Sequence, residues 1–177
     1  MGVQIGAKPD SGFDDPIGML IDCHRRIEHF LNILFVVAGR AQHRSLTTEE
    51  TAAIHAALQY FRVGGERHTE DEEKSLFPRI RTELGGSILE ELERLEDEHD
   101  SAAGLHAAVE TLYLKWISEA SLNEFDTQQL VSNTQSLNLL YETHIQVEEK
   151  FVFPRAAQLL DGATVQAMGR EFRARRM

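Results

Sequence analysis

Residues 68–80 read HTEDEEKSLFPRI, and residues 144–156 read HIQVEEKFVFPRA. The offset is 144 − 68 = 76 residues, and seven of the thirteen positions are identical, the proline among them. An internal repeat restricts the fold to architectures in which like units bury like faces against one another. The repeat extends upstream of the motif. His24 and His99 lie 99 − 24 = 75 residues apart; His68 follows His24 by 44 residues and His144 follows His99 by 45. The chain therefore reads as two copies of one hairpin.

Each hairpin consists of two helices. Apolar residues recur at helical spacing over about residues 16–39, 48–84, from after Gly85-Gly86 to about 117, and from Asn123 or Asp126 to about 158. Asp15 before Pro16, the TTEE at 47–50 and Ser87 are N-terminal cap signals, and Gly39 is a stop. Short connections make neighbouring helices antiparallel. The expected fold is all-α, an up-down-up-down four-helix bundle over residues 14–160. A tail at 1–13 precedes it, and a C-terminal tail or short helix at 161–177 follows.

Composition bounds what such a bundle can do. At 177 residues it is one domain. The single cysteine, Cys23, excludes an internal disulfide framework and a cysteine-based zinc site. A net charge of −11 argues against nucleic acid as a partner. The basic end, FRARRM from Phe172, reads as solvated. The longest apolar run, near residues 30–38, is interrupted by Asn32 and too short to span a bilayer. No signal-peptide pattern opens the chain. The expectation is a soluble cytoplasmic protein. FLNILFVV, at 30–37, packs under helix 2 or the tail, or serves as a homodimer patch.

One histidine falls in the apolar seam of every helix: His24, His68, His99 and His144. With a rise of about 1.5 Å per residue, antiparallel helices can bring all four to one level. On one side of that level lie Glu72 and Glu148, then Ile17, Leu92, Leu76 and Phe151/Val152. On the other lie Glu28, Ala103, Gly64/Gly65 and Leu140/Tyr141, then Leu31, Phe61, Leu137 and His106. The result is a polar slab between two apolar plugs. His68/Glu72 and His144/Glu148 are i, i+4 pairs, so each presents an imidazole and a carboxylate on one face. Buried polar groups must be satisfied by each other or by cations. Inward-facing histidine and glutamate side chains suit iron or manganese. The spacing thus nominates His24, His68, Glu72, His99, His144 and Glu148 as metal ligands. Glu73, Glu149, Lys74 and Lys150 read as a solvated or ion-paired face. The Phe-Pro pairs read as closing the site end while bending or ending their helices. His29, His43 and His55 read as surface residues. His106, seven residues beyond His99 and about 10 Å along the helix, reads as a hydrogen-bonded core histidine.

The motifs DCHRRIEH at His24, HTEDEEKSLFP at His68, EDEHD at His99 and HIQVEEKFVFP at His144 resemble those of the hemerythrin-like (HHE cation-binding) domain family, over about residues 14–160. The resemblance implies a non-haem centre of two iron ions with bridging carboxylates, often oxo- or hydroxo-bridged. It also implies a small diatomic ligand or peroxide as the partner molecule. Family members carry or sense oxygen, sense iron, or act on nitric oxide and peroxide. The oxygen carriers resemble this pattern but have a fifth histidine where this chain has Ala103. The set of four histidines and two glutamates is more similar to the domain of di-iron proteins that repair iron–sulfur centres. Those also carry a small cysteine-containing N-terminal domain, for which no room is expected before Asp14. The leading expectation is a protein that senses or reacts with oxygen, peroxide or nitric oxide. The alternatives are a non-enzymatic iron-binding sensor and a metal-stabilised structural module. Beside the open metal positions, Gly65 and Ala103 are expected to face Glu28 and Tyr141 across a pocket. There Glu28 would relay protons and Tyr141 would donate a hydrogen bond or quench an oxidising intermediate; the alternative for the small residues is close helix packing with no pocket.

Overall fold

The computed structural model describes residues 10–41, 44–83 and 87–177. Four helical rods form the bundle. The first is α1, Pro16–Ala38; the second, α2, spans 48–83; the third, α3, is Ser87–Glu119; the fourth, α4, spans 124–159. A shorter helix, α5, Gly162–Ala174, follows. Around the bundle α1 packs on α2 and α4, and α3 packs on α4 and α2. No strand occurs among the described residues. The break expected at Gly85-Gly86 and the surface placement of His43 fall outside the described residues.

The helix starts follow their sequence signals. The Asp15 side chain accepts from the Gly18 N–H, with Pro16 in the first turn. Thr47 and Glu50 close a reciprocal capping box at the start of α2. Asn123 accepts from the Asp126 N–H and starts α4. Each cap satisfies an amide that the helix itself leaves unpaired.

The Phe-Pro pairs neither end nor simply bend their helices. Instead each helix widens into one π-helical turn, Glu72–Leu76 in α2 and Glu148–Val152 in α4, and then continues to Glu83 and Leu159. The Phe77 N–H donates to the Glu72 carbonyl, and the Phe153 N–H to the Glu148 carbonyl. Proline has no N–H to return, and its ring crowds the carbonyl four residues earlier, here Lys74 or Lys150. A wider turn absorbs both problems without breaking the rod. Both wide turns begin at a glutamate of the polar slab. A third π turn, Phe61–Gly65, interrupts α2 one turn before His68.

Two apolar clusters bracket the slab. One contains Ile27, Leu31, Leu34, Ile54, Val109, Tyr113, Trp116 and Leu137. The other contains Leu20, Leu76, Phe77, Leu92, Leu95, Val152 and Phe153, with Met168 and Phe172 from α5. Each such side chain contributes roughly 1.5–3 kcal/mol by leaving water. The buried aromatics also place their polar ends. Trp116 Nε1 donates to the Arg44 carbonyl at 2.8 Å, and the Tyr113 hydroxyl donates to the Leu34 carbonyl. In the 30–37 run, Leu31, Leu34 and Val37 are buried, Phe30 stacks on Tyr60 of α2, and Phe35 and Val36 remain exposed.

The basic C-terminus is not a solvated end. Phe172 is fully buried. Asp71, buried next to Glu72, accepts from Arg175 at 2.8 Å and from Arg176 at 2.6 Å. Arg79 grips Glu171 with two hydrogen bonds, and Ser75 donates to the same carboxylate. The helix α5 is thereby bolted to the wide turn that carries Glu72. Gly169 permits the close approach on its other side, because a Cβ there would overlap the Phe13 carbonyl oxygen.

Candidate metal centre

The structure brings all six nominated residues into one buried cluster. His24, His68, Glu72 and Glu148 form one group of donors; Glu72, His99, His144 and Glu148 form a second. Within each group the donor atoms lie within 4.8 Å of one another. Each hairpin supplies its own pair of histidines, and both glutamates belong to both groups. The glutamates are completely buried.

Distances in the cluster match donors arranged around cations. His24 Nε2 lies 3.1 Å from Glu148 Oε2, His68 Nε2 3.3 Å from Glu72 Oε1, His99 Nε2 3.4 Å from Glu72 Oε2, and His144 Nε2 3.2 Å from Glu148 Oε1. Two donors at right angles, each about 2.1 Å from a shared ion, stand about 3 Å apart. Despite these approaches, His24 Nε2 and all four carboxylate oxygens of Glu72 and Glu148 are buried without a hydrogen-bond partner. Orphaned buried acceptors at such a density are costly unless something binds them.

The outer nitrogens explain why. His24 Nδ1 bonds Glu149 Oε1 at 2.8 Å, His99 Nδ1 bonds Glu73 Oε1 at 2.8 Å, and His144 Nδ1 bonds Glu98 Oε2 at 2.9 Å. An imidazole that donates from Nδ1 to a carboxylate presents a lone pair at Nε2. Three such lone pairs then converge on the glutamates, and those of His99 and His144 face each other at 3.1 Å. Lone pairs at that range repel unless a cation or protons lie among them. Of the two readings of Glu73 and Glu149, the ion-paired one holds for Glu149, which pairs with Arg25; beyond it, both carboxylates orient histidines of the cluster. The doubled E-E in both copies of the repeat was the available signal. Glu98 has no such signal, because its counterpart in the first hairpin, at 98 − 75 = 23, is Cys23. His68 Nδ1 correspondingly lacks a partner. The aromatic residues of the Phe-Pro pairs close the cluster crosswise, Phe153 stacked on His24 and Phe77 on His99.

Of the remaining residues, His106 shares a 3.1 Å hydrogen bond with the Tyr141 hydroxyl, and burial lowers its pKa to about 4, so it is neutral. Burial, and then the nearby glutamates, raise the Tyr141 pKa, so the phenol keeps its proton. Glu28 does not share a pocket with Gly65 and Ala103. It is exposed, pairs with Arg25 at 2.9 Å, and reaches the cluster only through Arg25 and Glu149 to His24. His29 and His55 are exposed.

Without cations the cluster takes up protons. Burial and the neighbouring Glu148 charge raise the Glu72 pKa well above the carboxylate range. Burial opposes ionisation of Glu148 too, but the charges of the adjacent His144 and His24 outweigh it and hold its pKa well below normal. Burial likewise opposes charge on His24 and His144, yet Glu148 and Glu72 raise both above 6.5. Raised histidine pKa values stabilise the metal-free fold fully below pH 6.5, and that stability is lost as pH rises through the folded values. Glu72 acts in the same direction. Cation binding requires these protons to leave. The gain in melting temperature on adding metal should therefore grow as pH rises from about 6 to 8. Paired melting curves of loaded and stripped protein across that range measure it; a gain that shrinks with rising pH contradicts this assignment of the protons.

The hemerythrin HHE cation-binding domain model matches residues 15–156. A protein of Haemophilus influenzae (strain Rd) described as uncharacterized is 24% identical over 164 residues, which cover 93% of this chain and 91% of the relative. No described helix is long and apolar enough to cross a membrane. The family match runs through both hairpins and all six clustered histidines and glutamates, and the chain belongs to the hemerythrin HHE cation-binding domain family.

Proposed function

We propose that this chain holds two iron ions and senses or reacts with oxygen, peroxide or nitric oxide. One ion would be held by His24 and His68, the other by His99 and His144, with Glu72 and Glu148 shared between them. The observation that carries this reading is the pair of overlapping donor groups, each with two imidazoles and the same two orphaned carboxylates. Imidazole mixed with carboxylate suits iron. When bound, iron supplies one-electron redox chemistry and coordination positions open to a small molecule.

The protein's own contribution is orientation and exclusion. Glu73, Glu98 and Glu149 fix three histidine tautomers. The two apolar clusters keep bulk water from both ends of the slab. Tyr141 keeps its proton near the two glutamates and can donate a hydrogen bond there. No histidine stands at Ala103 to add a further ligand to the His99 side. The reduced, iron-loaded protein is accordingly expected to be oxidised by oxygen or peroxide rather than to carry oxygen reversibly. Ala103→His is expected to slow that oxidation. Anaerobic reduction followed by stopped-flow mixing with each oxidant measures both. Reversible oxygen uptake and release over many cycles without net oxidation would count against a reactive centre.

A further inference from the structure

The sequence repeat pairs α1 with α3 and α2 with α4. It thereby also pairs two lateral clefts, the one between α2 and α3 and the one between α4 and α1. Where the sequence repeats, the clefts should match; beside the metal centre they do not. Gly65 corresponds to Tyr141 (65 + 76 = 141), and Ala103 corresponds to Glu28 (28 + 75 = 103). Both small residues line the α2/α3 cleft, while Glu28 lines the α4/α1 cleft and Tyr141 stands at the floor of both.

We propose that small uncharged molecules reach the metal centre from one side only, through the cleft between α2 and α3. This rests on the metal reading above and adds to it the route and the charge class of the ligand. The α2/α3 cleft encloses about 430 Å³, and His99 forms part of its wall. The α4/α1 cleft is larger, about 640 Å³, but none of the six clustered residues lines it. On that side Glu149 covers His24, held by its bond to Nδ1 and by Arg25. Glu73 bonds His99 Nδ1 in the same way, yet His99 keeps 9% of its surface exposed and lines its cleft while His24 is fully buried, so the exposure of the histidine, not the size of the cleft, marks the accessible side.

The inner end of the open cleft has a polar handle. His106 and Tyr141 are hydrogen-bonded there, with Phe61 packed on the imidazole at 4.2 Å between ring centres. A few placed polar groups in a small-walled cleft are what orients a small ligand. The rim carries Glu66, Glu70, Glu73 and Asp100, and its Arg62 is already paired with Glu110. That field penalises anions and leaves neutral molecules unaffected.

The test measures binding rather than turnover, on protein whose metal content is determined first. Azide and nitric oxide serve as the anionic and neutral probes, followed by stopped-flow absorption. Ala103→Leu and Gly65→Leu fill the α2/α3 cleft; each is expected to slow nitric oxide association by about tenfold or more. Asn138→Leu, which fills the other cleft, should leave the rate within about twofold. In the unaltered protein, raising ionic strength from about 0.01 M to 0.15 M shortens the screening length from about 30 to 8 Å and should speed azide but not nitric oxide. Equal slowing by Asn138→Leu, or azide entry insensitive to salt, overturns the one-sided neutral route while leaving the metal reading intact. Unaltered protein without bound metal removes the metal reading itself, and this inference with it.

Discussion

Glu72→Ala and Glu148→Ala are each expected to leave below about one metal ion per chain, a larger loss than His24→Ala causes. The cause lies in how the donors are shared. Each glutamate belongs to both groups, so its removal takes an oxygen from both positions at once. His24 belongs to one group, and His99 with His144 and both glutamates remains whole when it is removed. Charge acts in the same direction. Two cations in a buried slab need both carboxylates, and removing one leaves the positive charge uncompensated. Metal analysis of the three purified variants, with circular dichroism to confirm folding, makes the comparison. Full two-metal occupancy in either glutamate variant would show that the carboxylates are not shared.

The second large effect is expected far from the ligands in sequence. Arg175→Ala combined with Arg176→Ala should destabilise the protein by about 3 kcal/mol, because Asp71 is completely buried and would lose both charged partners. In a chain of this size that lowers the melting temperature by roughly 10 °C. Asp71→Leu in the same background should recover part of the loss, since an apolar residue leaves no charge to satisfy. Metal retention should weaken as well. Asp71 precedes Glu72, and Ser75, in the same wide turn, bonds both Arg175 and Glu171. The second hairpin has no counterpart to this clamp, with Val147 and the exposed Phe151 in the equivalent places. A double variant that melts with the parent would show that Asp71 is satisfied without the C-terminal helix.

The slab was legible because two regularities overlap. Helical rise fixes axial level, and the repeat fixes which levels coincide, so four histidines and two glutamates could be placed without any packing detail. The wide turns at Glu72 and Glu148 were not legible in that way, since a 3.6-residue period assumes the turn it is used to find. Pro78 and Pro154 announce a disturbance, but whether the backbone breaks, bends or widens depends on what it packs against. The roles of Glu73 and Glu149 were hidden for a related reason. A residue one position past a buried glutamate points toward the surface of its own helix, and only the neighbouring helix places a histidine ring beneath it. Asp71 shows the limit most plainly. Nothing in HTEDEEK separates a buried aspartate from an exposed one until Arg175 and Arg176, just past the end of α5 and about a hundred residues later, close over it.

A buried centre of two iron ions is tested most directly by the metal content and absorption spectrum of protein purified without added metal. The orphaned carboxylates and converging histidine lone pairs predict about two irons per chain and a near-ultraviolet ligand-to-iron charge-transfer band. Stripping that metal should lower the melting temperature clearly, because binding confined to the native state stabilises it by mass action. Protein that carries zinc or no metal, shows no such band, and melts at the same temperature before and after chelation would contradict the account.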